Sequence, residues 1–80
     1  MIKYHKQAEK FILSQGKTAA LRIYESIEQL PIGDVKRLQG KKGSQLYRLR
    51  VGNYRVVFCV EKDDFVILRV DNRGDIYKRL

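Results

Sequence analysis

Three arginines lie close together in one predicted β-hairpin, and their chemistry is that of phosphate binding. Residues 46–60 alternate between apolar and polar side chains on both sides of Gly52-Asn53, a pair that favours a tight two-residue turn. If these two residues form the turn, Arg50 lies directly opposite Arg55, and Arg48 lies two residues away on the same face. Guanidinium groups donate paired, charge-assisted hydrogen bonds to phosphate oxygens. The hairpin therefore predicts a surface that meets a polyanion.

The opposite face of the same hairpin is the predicted core. Its residues are apolar or aromatic, namely Tyr47, Leu49, Val51, Tyr54, Val56, Phe58 and Val60. The opposed like charges of Arg50 and Arg55 destabilise a ladder by roughly 0.2–1 kcal/mol. We expect a sheet that accepts this repulsion to bind an anion there.

Charge is segregated along the chain. Its 17 Lys and Arg residues outnumber 9 Asp and Glu residues, and the net charge is +8. Between Val35 and Val60 there are seven basic residues and no acidic one. This pattern favours a nucleic-acid or acidic-protein partner over a charge that serves solubility alone. Within it, Lys41 and Lys42 form a basic loop tip that we expect to contribute to RNA binding.

Length and composition favour one small domain. With 80 residues and 44% hydrophobic content, the chain can build one core, so residues 1–80 are predicted to form a single domain. The single cysteine excludes an internal disulfide, and no signal-peptide pattern or apolar run of about 18 residues occurs. We therefore expect a cytoplasmic protein without a membrane partner. One Cys and one His without ligand spacing do not support a metal site, and no cofactor is expected.

The order of the predicted elements begins with a strand and two helices. Residues 2–5 alternate as a short strand, and helical spacing follows as far as Gly16, a C-terminal cap. A second helix begins at Lys17 or Thr18 and ends before Pro31. Its apolar stripe consists of Ala20, Ile23, Ile27 and Leu30. Such a helical hairpin needs a sheet to cover its apolar side.

The rest of the chain is predicted to be mostly strand. Residues 32–43 form a connection that Val35 and Leu38 anchor to the core. After the arginine hairpin come a turn at 62–64, a buried strand at 65–70, a bend at 71–74 and a short final element at 75–80.

Three segments together resemble the RelE/ParE superfamily of type II toxins. They are residues 33–40 (GDVKRLQG), 46–58 (LYRLRVGNYRVVF) and 68–79 (LRVDNRGDIYKR), and the resemblance covers essentially the whole chain. It implies an α+β fold in which a short N-terminal strand and a helical hairpin pack on a twisted antiparallel sheet. It also implies a cognate antitoxin that neutralises the protein.

The two branches of this superfamily imply different activities. The RelE branch implies ribosome-dependent cleavage of mRNA, with operator DNA bound only through the antitoxin. The ParE branch implies inhibition of DNA gyrase without nuclease chemistry. A basic nucleic-acid-binding module without toxicity is a third alternative, although the sequence has neither a groove-reading helix nor a stacked aromatic platform.

Resemblance to the RelE branch implies roles for particular residues. Arg55, Arg73 and Tyr77 map to the catalytic positions, and Arg48 and Arg50 to RNA-binding positions where ribonuclease members often have lysine. Arginine stays protonated and is a poor general base. Tyr77 is then the candidate for proton transfer or for stacking on a base, while Arg55 and Arg73 stabilise charge. The alternatives are that Tyr77 anchors the last element and that Arg73 solvates a turn.

Three other reactive side chains are expected to be structural. Cys59 falls on the arginine side of the hairpin and is a small apolar filler rather than a nucleophile. His5 is a polar residue of the first strand rather than a catalyst. The carboxylate pair Asp63-Asp64 lies where a turn needs polar residues.

Overall fold

The computed structural model describes residues 1–38 and 45–72, which form two helices and five strands. In chain order these are β1 (Ile2–Tyr4), α1 (Lys6–Ser14), α2 (Lys17–Glu28), β2 (Asp34–Arg37), β3 (Leu46–Val51), β4 (Tyr54–Glu61) and β5 (Asp64–Asn72). The predicted α+β fold with an N-terminal strand and a helical hairpin is confirmed.

The five strands form one sheet in the order β1-β5-β4-β3-β2. The pairs from β2 to β5 are antiparallel, whereas β1 runs parallel to β5, with Ile2 opposite Phe65 and Tyr4 opposite Ile67. Parallel neighbours need a long connection, and all the elements from α1 to β4 lie between these two strands in the chain. The sheet is therefore mixed, where the family resemblance implied an antiparallel sheet.

The two helices meet at the predicted glycine. The backbone N–H of Gln15 donates to the carbonyl of Ile12 and caps α1, and Gly16 has a φ of 95° at the N-cap of α2. Glycine adopts positive φ without the steric cost that a Cβ adds. Gly16 thus opens the second helix, and the residue that caps the first is its neighbour Gln15. The second helix ends at Glu28, before the predicted stop at Pro31.

The core lies between the helices and one side of the sheet, which we call the inner face. Its buried residues are Ala8, Ile12, Ala20, Ile23, Ile27, Leu49, Val51, Val56, Phe58, Ile67 and Val70. The ring of Phe58 stacks on Tyr47 with centroids 5.5 Å apart and meets Phe65 edge-on at 5.8 Å. Tyr47, Tyr54 and Val60 are half-buried against this cluster, so the predicted inner face of the hairpin is confirmed.

Two predictions about the strands are wrong. Residues 34–37, predicted to lie in a connection, form the edge strand β2, with Val35 opposite Leu49. Their alternation spans only four residues and includes a single apolar side chain, which is too short a pattern to indicate a strand. In addition, β5 continues through Asp71 and Asn72, where the sequence predicted a bend. Pairing with β4 keeps these polar residues extended.

Candidate functional site

The β3–β4 hairpin brings the three predicted arginines together. Gly52 is the first of two turn residues and has a φ of 58°. Glycine with a positive φ at this position suits a type II′ turn, whose twist matches that of the strands. The register places Arg50 opposite Arg55, and Arg48 opposite Val57. The predicted pairing is confirmed at each of these positions.

We call the side of the sheet opposite the helices the arginine face. Alternation and register place these charged residues on it: Lys3 from β1, Asp34 and Lys36 from β2, Arg48 and Arg50 from β3, Arg55 and Glu61 from β4, and Asp64, Arg69 and Asp71 from β5. Six of them are basic and four are acidic. The face is therefore positive, and carboxylates lie within it.

Asp34 is the carboxylate nearest to the arginines of β3. Its Oδ1 lies 3.6 Å from Nη1 of Arg48, and its Oδ2 lies 3.8 Å from Nε of Arg50. Nη1 of Arg48 also donates a hydrogen bond of 3.3 Å to the backbone carbonyl of Asp34. The absence of acidic residues between Val35 and Val60 predicted that these arginines have no carboxylate partner, and that prediction is wrong. Asp34 lies one residue before the acid-free segment and enters the face because β2 pairs with β3.

A second carboxylate balances the other side of the hairpin. Asp71 lies opposite Arg55 in the register and forms an ion pair with Arg69 of its own strand. One row across the sheet thus reads Asp34, Arg50, Arg55, Asp71. A carboxylate at each end offsets the repulsion between the two central arginines. The tolerated repulsion therefore has an explanation within the fold, and it does not by itself require a polyanion.

The arginines of this face differ in how much of each side chain solvent reaches. The Arg48 side chain is 14% exposed, and the Arg50 side chain is 36% exposed. The Nε atoms of Arg50 and Arg55 are buried and have no hydrogen-bond acceptor among residues 1–38 and 45–72. A buried donor without an acceptor is costly, so an anion that supplied oxygen atoms at these two positions would be stabilised.

Comparison with known proteins identifies the family. The sequence matches the family described as "ParE toxin of type II toxin-antitoxin system, parDE" over residues 2–77. The chain belongs to the RelE/ParE superfamily of type II toxins. No curated protein sequence matches this toxin.

Solved structures of the superfamily are similar to the toxin. A crystal structure of the archaeal RelE-RelB complex from Pyrococcus horikoshii OT3 contains a chain that is 34% identical, with a TM-score of 0.73 over 91% of this chain and 93% of that one. The RelB-RelE antitoxin-toxin complex from Methanococcus jannaschii is similar at 28% identity and a TM-score of 0.65, with 98% of each chain covered. The YoeB dimer from Staphylococcus aureus, at 22% identity and a TM-score of 0.61 over 85% of this chain and 90% of that one, shares the fold.

Four predicted site residues of the toxin lie outside the described residues. These are Lys41, Lys42, Arg73 and Tyr77. The structure brings together Arg48, Arg50 and Arg55, the three that it describes. Sequence reasoning missed Asp34, Asp71 and Arg69 as members of the face. Strand pairing places each of them on this face. Only a prediction of which strands pair, and in which register, could have identified them.

The other reactive side chains of the toxin have structural surroundings. Burial raises the pKa of the Cys59 thiol, and the nearby Glu61 carboxylate raises it further, so the thiolate is disfavoured. His5 is exposed at the N-cap of α1, just after β1. Asp64 begins β5 and pairs with the N-terminal ammonium at 3.3 Å and with Lys3 at 3.4 Å.

In residues 1–38 and 45–72, no group of three or more His, Cys, Asp or Glu side chains could hold a metal ion. Neither of the two helices there is long and apolar enough to cross a membrane.

Proposed function

We propose that the toxin is a ribosome-dependent endoribonuclease that cleaves mRNA. The observation that carries this proposal is the pair of buried Nε donors on Arg50 and Arg55, directly opposite each other on a positive face that no described helix covers. Two guanidinium groups in this arrangement suit the non-bridging oxygens of a phosphodiester. The 34% identity to an archaeal RelE supports the RelE branch.

The chemistry that we propose is attack by a ribose 2′-hydroxyl on the adjacent phosphorus. The hydroxyl loses its proton, a bond forms to phosphorus, and the bond to the 5′-oxygen breaks as that oxygen gains a proton. Charge grows on the non-bridging oxygens, where Arg55 and Arg73 would stabilise it. Tyr77 would transfer a proton, and an arginine beside it would favour the phenolate. Arg48, Arg50, Lys41 and Lys42 would hold the RNA backbone.

A cognate antitoxin is the second part of the proposal. The similar RelE chains were crystallised with RelB, and we propose an equivalent partner for this toxin, in the cytoplasm. An acidic segment of that partner would cover the arginine face and exclude RNA from it. Contact with operator DNA would occur only through the antitoxin.

Inhibition of DNA gyrase is the second candidate function. The family match is to ParE toxins, and this observation favours the gyrase branch. The arginines at the strand positions favour it too, because a guanidinium is a poor general base.

Induced expression in a bacterium separates the two candidates. For the ribonuclease, we expect growth arrest and transcript 5′ ends that map within translated codons, with little cleavage of free RNA. Intact transcripts with double-strand DNA breaks would replace the first proposal with the second. Normal growth with soluble, folded protein would contradict both. Arg55→Ala should abolish arrest, whereas Lys10→Ala removes the same charge from an exposed position of α1, on the helix side of the sheet, and should preserve it.

Single-turnover cleavage on programmed ribosomes tests the proposed division of roles. Loss of a proton-transfer group costs about 10²–10⁴ in rate, and loss of a positioned charge donor costs about 10²–10³. Tyr77→Phe keeps the ring and removes only the hydroxyl. A wild-type rate for this variant, with Arg55→Ala and Arg73→Ala both impaired, would assign Tyr77 to stacking or packing and the proton to the ribosome or to water.

A further inference from the structure

We propose that Asp34 limits the affinity of the arginine face for RNA, because its carboxylate occupies a position that a phosphate must take. This inference rests on the proposed function and deepens it, since it assigns an affinity-limiting residue to the same face. Asp34 lies just outside the acid-free segment, so the charge pattern of the sequence did not indicate it. Its position follows from the pairing of β2 with β3.

The geometry of the Asp34 carboxylate resembles that of a bridging phosphate. One oxygen lies beside Nη1 of Arg48 at 3.6 Å, and the other lies beside Nε of Arg50 at 3.8 Å. Both distances are those of ion pairs and are too long for hydrogen bonds. Nε of Arg50 thus has a charge partner and no hydrogen-bond acceptor in the described chain. A phosphate oxygen that approached within hydrogen-bond distance would satisfy this donor better than Asp34 does.

Displacement of Asp34 would cost little structurally. Its side chain is 57% exposed, so the carboxylate regains water when it moves away. The main-chain carbonyl of Asp34 would continue to accept from Nη1 of Arg48, because strand pairing holds that carbonyl in place. Arg48 therefore keeps its position while the charge on the face becomes available. A ligand whose phosphates are held in a fixed arrangement gains enough binding free energy to displace the Asp34 carboxylate. A flexible free RNA gains less from each contact, because binding must also order it.

Binding of a short uridine-only RNA oligonucleotide tests the role of Asp34 without any cleavage. We expect Asp34→Asn to bind about five to ten times more tightly than the wild type, in the range for the loss of two exposed ion pairs. The slope of log affinity against log salt should become steeper by about 0.7, since one more phosphate contact releases counterions.

The matched control is Asp63→Asn, which changes the net charge equally. Asp63 is exposed in the turn after β4, at the opposite end of that strand from Arg55. If Asp34→Asn gains no more affinity than Asp63→Asn, only net charge matters and the proposal is wrong. Weaker binding by Asp34→Asn would also overturn it, because Asp34 would then position the arginines for RNA.

A double variant shows whether the effect acts through the arginine. Arg50→Ala removes the guanidinium that Asp34 is proposed to mask, so Asp34→Asn should gain much less affinity in that background. An equal gain in both backgrounds would contradict the proposal. The result is distinguishable from failure of the ribonuclease proposal, because tighter RNA binding by Asp34→Asn without mRNA cleavage in cells would refute only the activity.

Discussion

The two faces of the central sheet are built from the same strands but carry different side chains, which are apolar on one face and mostly charged on the other. On the inner face, β3 and β4 contribute Leu49, Val56 and Phe58, all nearly inaccessible to solvent. On the arginine face, the intervening residues carry charges that lie in rows with Asp34 and Asp71. Burial determines the first set of side chains, and charge balance determines the second. The fold therefore buries apolar side chains on one face and keeps charged side chains on the other.

The difference also explains how an opposed arginine pair is tolerated. A like-charge pair costs only a fraction of what a lost core side chain costs, roughly 0.2–1 kcal/mol against about 3–5 kcal/mol for Phe to Ala. Burial of apolar side chains on the inner face outweighs the repulsion between Arg50 and Arg55, and the two aspartates reduce that repulsion. Substitutions on the inner face should therefore mainly change stability, and substitutions of arginines on the arginine face should mainly change RNA binding.

The largest expected effect separates adjacent residues on opposite faces. Phe58→Ala should lower the free energy of unfolding by about 3–5 kcal/mol, because the ring is 1% exposed and contacts Tyr47 and Phe65. Val57→Ala, on the arginine face, should cost less than about 1.5 kcal/mol. Urea denaturation followed by circular dichroism measures both. Equal losses would mean that the arginine face is covered in solution.

The two hairpin turns supply the next contrast. Gly52→Ala should destabilise the toxin by about 1–2 kcal/mol, since φ is 58° and an added Cβ would lie 3.2 Å from the Arg22 guanidinium. Lys62 has a φ of 57° without being glycine, so Lys62→Gly should stabilise the toxin by about 0.5–1 kcal/mol. Thermal unfolding of both variants is the measurement. A loss of stability in Lys62→Gly would show that its side chain has a packing role.

A smaller effect distinguishes two arginines of the same face. Arg48→Ala should lower the free energy of unfolding by about 1 kcal/mol, because its side chain is 14% exposed and donates to the Asp34 carbonyl. Arg50→Ala should be neutral or slightly stabilising, since it removes the repulsion with Arg55 and loses only an exposed ion pair with Asp34. Each should reduce the salt slope of RNA binding by about 0.7 per lost phosphate contact. An unfolded Arg50→Ala protein would mean that the faces are assigned wrongly.

The smallest effect concerns the start of β5, far from the arginines. The N-terminal ammonium donates a hydrogen bond to Asp64 and lowers the pKa of that carboxyl below its ordinary value, and Lys3 contributes to the same shift. A carboxyl with a lower pKa in the folded state stabilises it above the unfolded pKa of about 3.9 and loses this contribution as the pH falls through the folded value. Asp64→Asn should therefore be less stable than the wild type at pH 7, and the difference should vanish in strong acid.

Urea denaturation at pH 7 and at decreasing pH tests this sign, with Asp63→Asn as the matched control. Asp63 directly precedes Asp64, and Asp63→Asn changes the net charge equally. A difference between Asp64→Asn and the wild type that grows on acidification would contradict the expected pKa shift.

Strongly periodic segments of this chain were predictable from sequence, and short ones were not. The alternation around Gly52 predicted the β3–β4 register at each position, because a one-residue slip would turn the whole apolar set toward solvent. The helical hairpin was predicted from its apolar spacing and from Gly16. The four-residue strand β2 was missed, since pairing with β3, rather than its own pattern, makes it a strand. Because β2 was missed, Asp34 was not included in the predicted site.

The sequence by itself determined which residues are buried and which carry the positive charge, because both follow from side-chain type and local periodicity. Alternation along the hairpin alone places Leu49 and Val56 in the core. It places Arg48, Arg50 and Arg55 on the opposite side. Only the tertiary structure decided what lies beside those arginines. Asp34 and Asp71 come from the strands before and after the hairpin, and the strand order places one of them at each end of the arginine row. Charge balance on a sheet depends on which strands are neighbours, and that is a property of the whole fold.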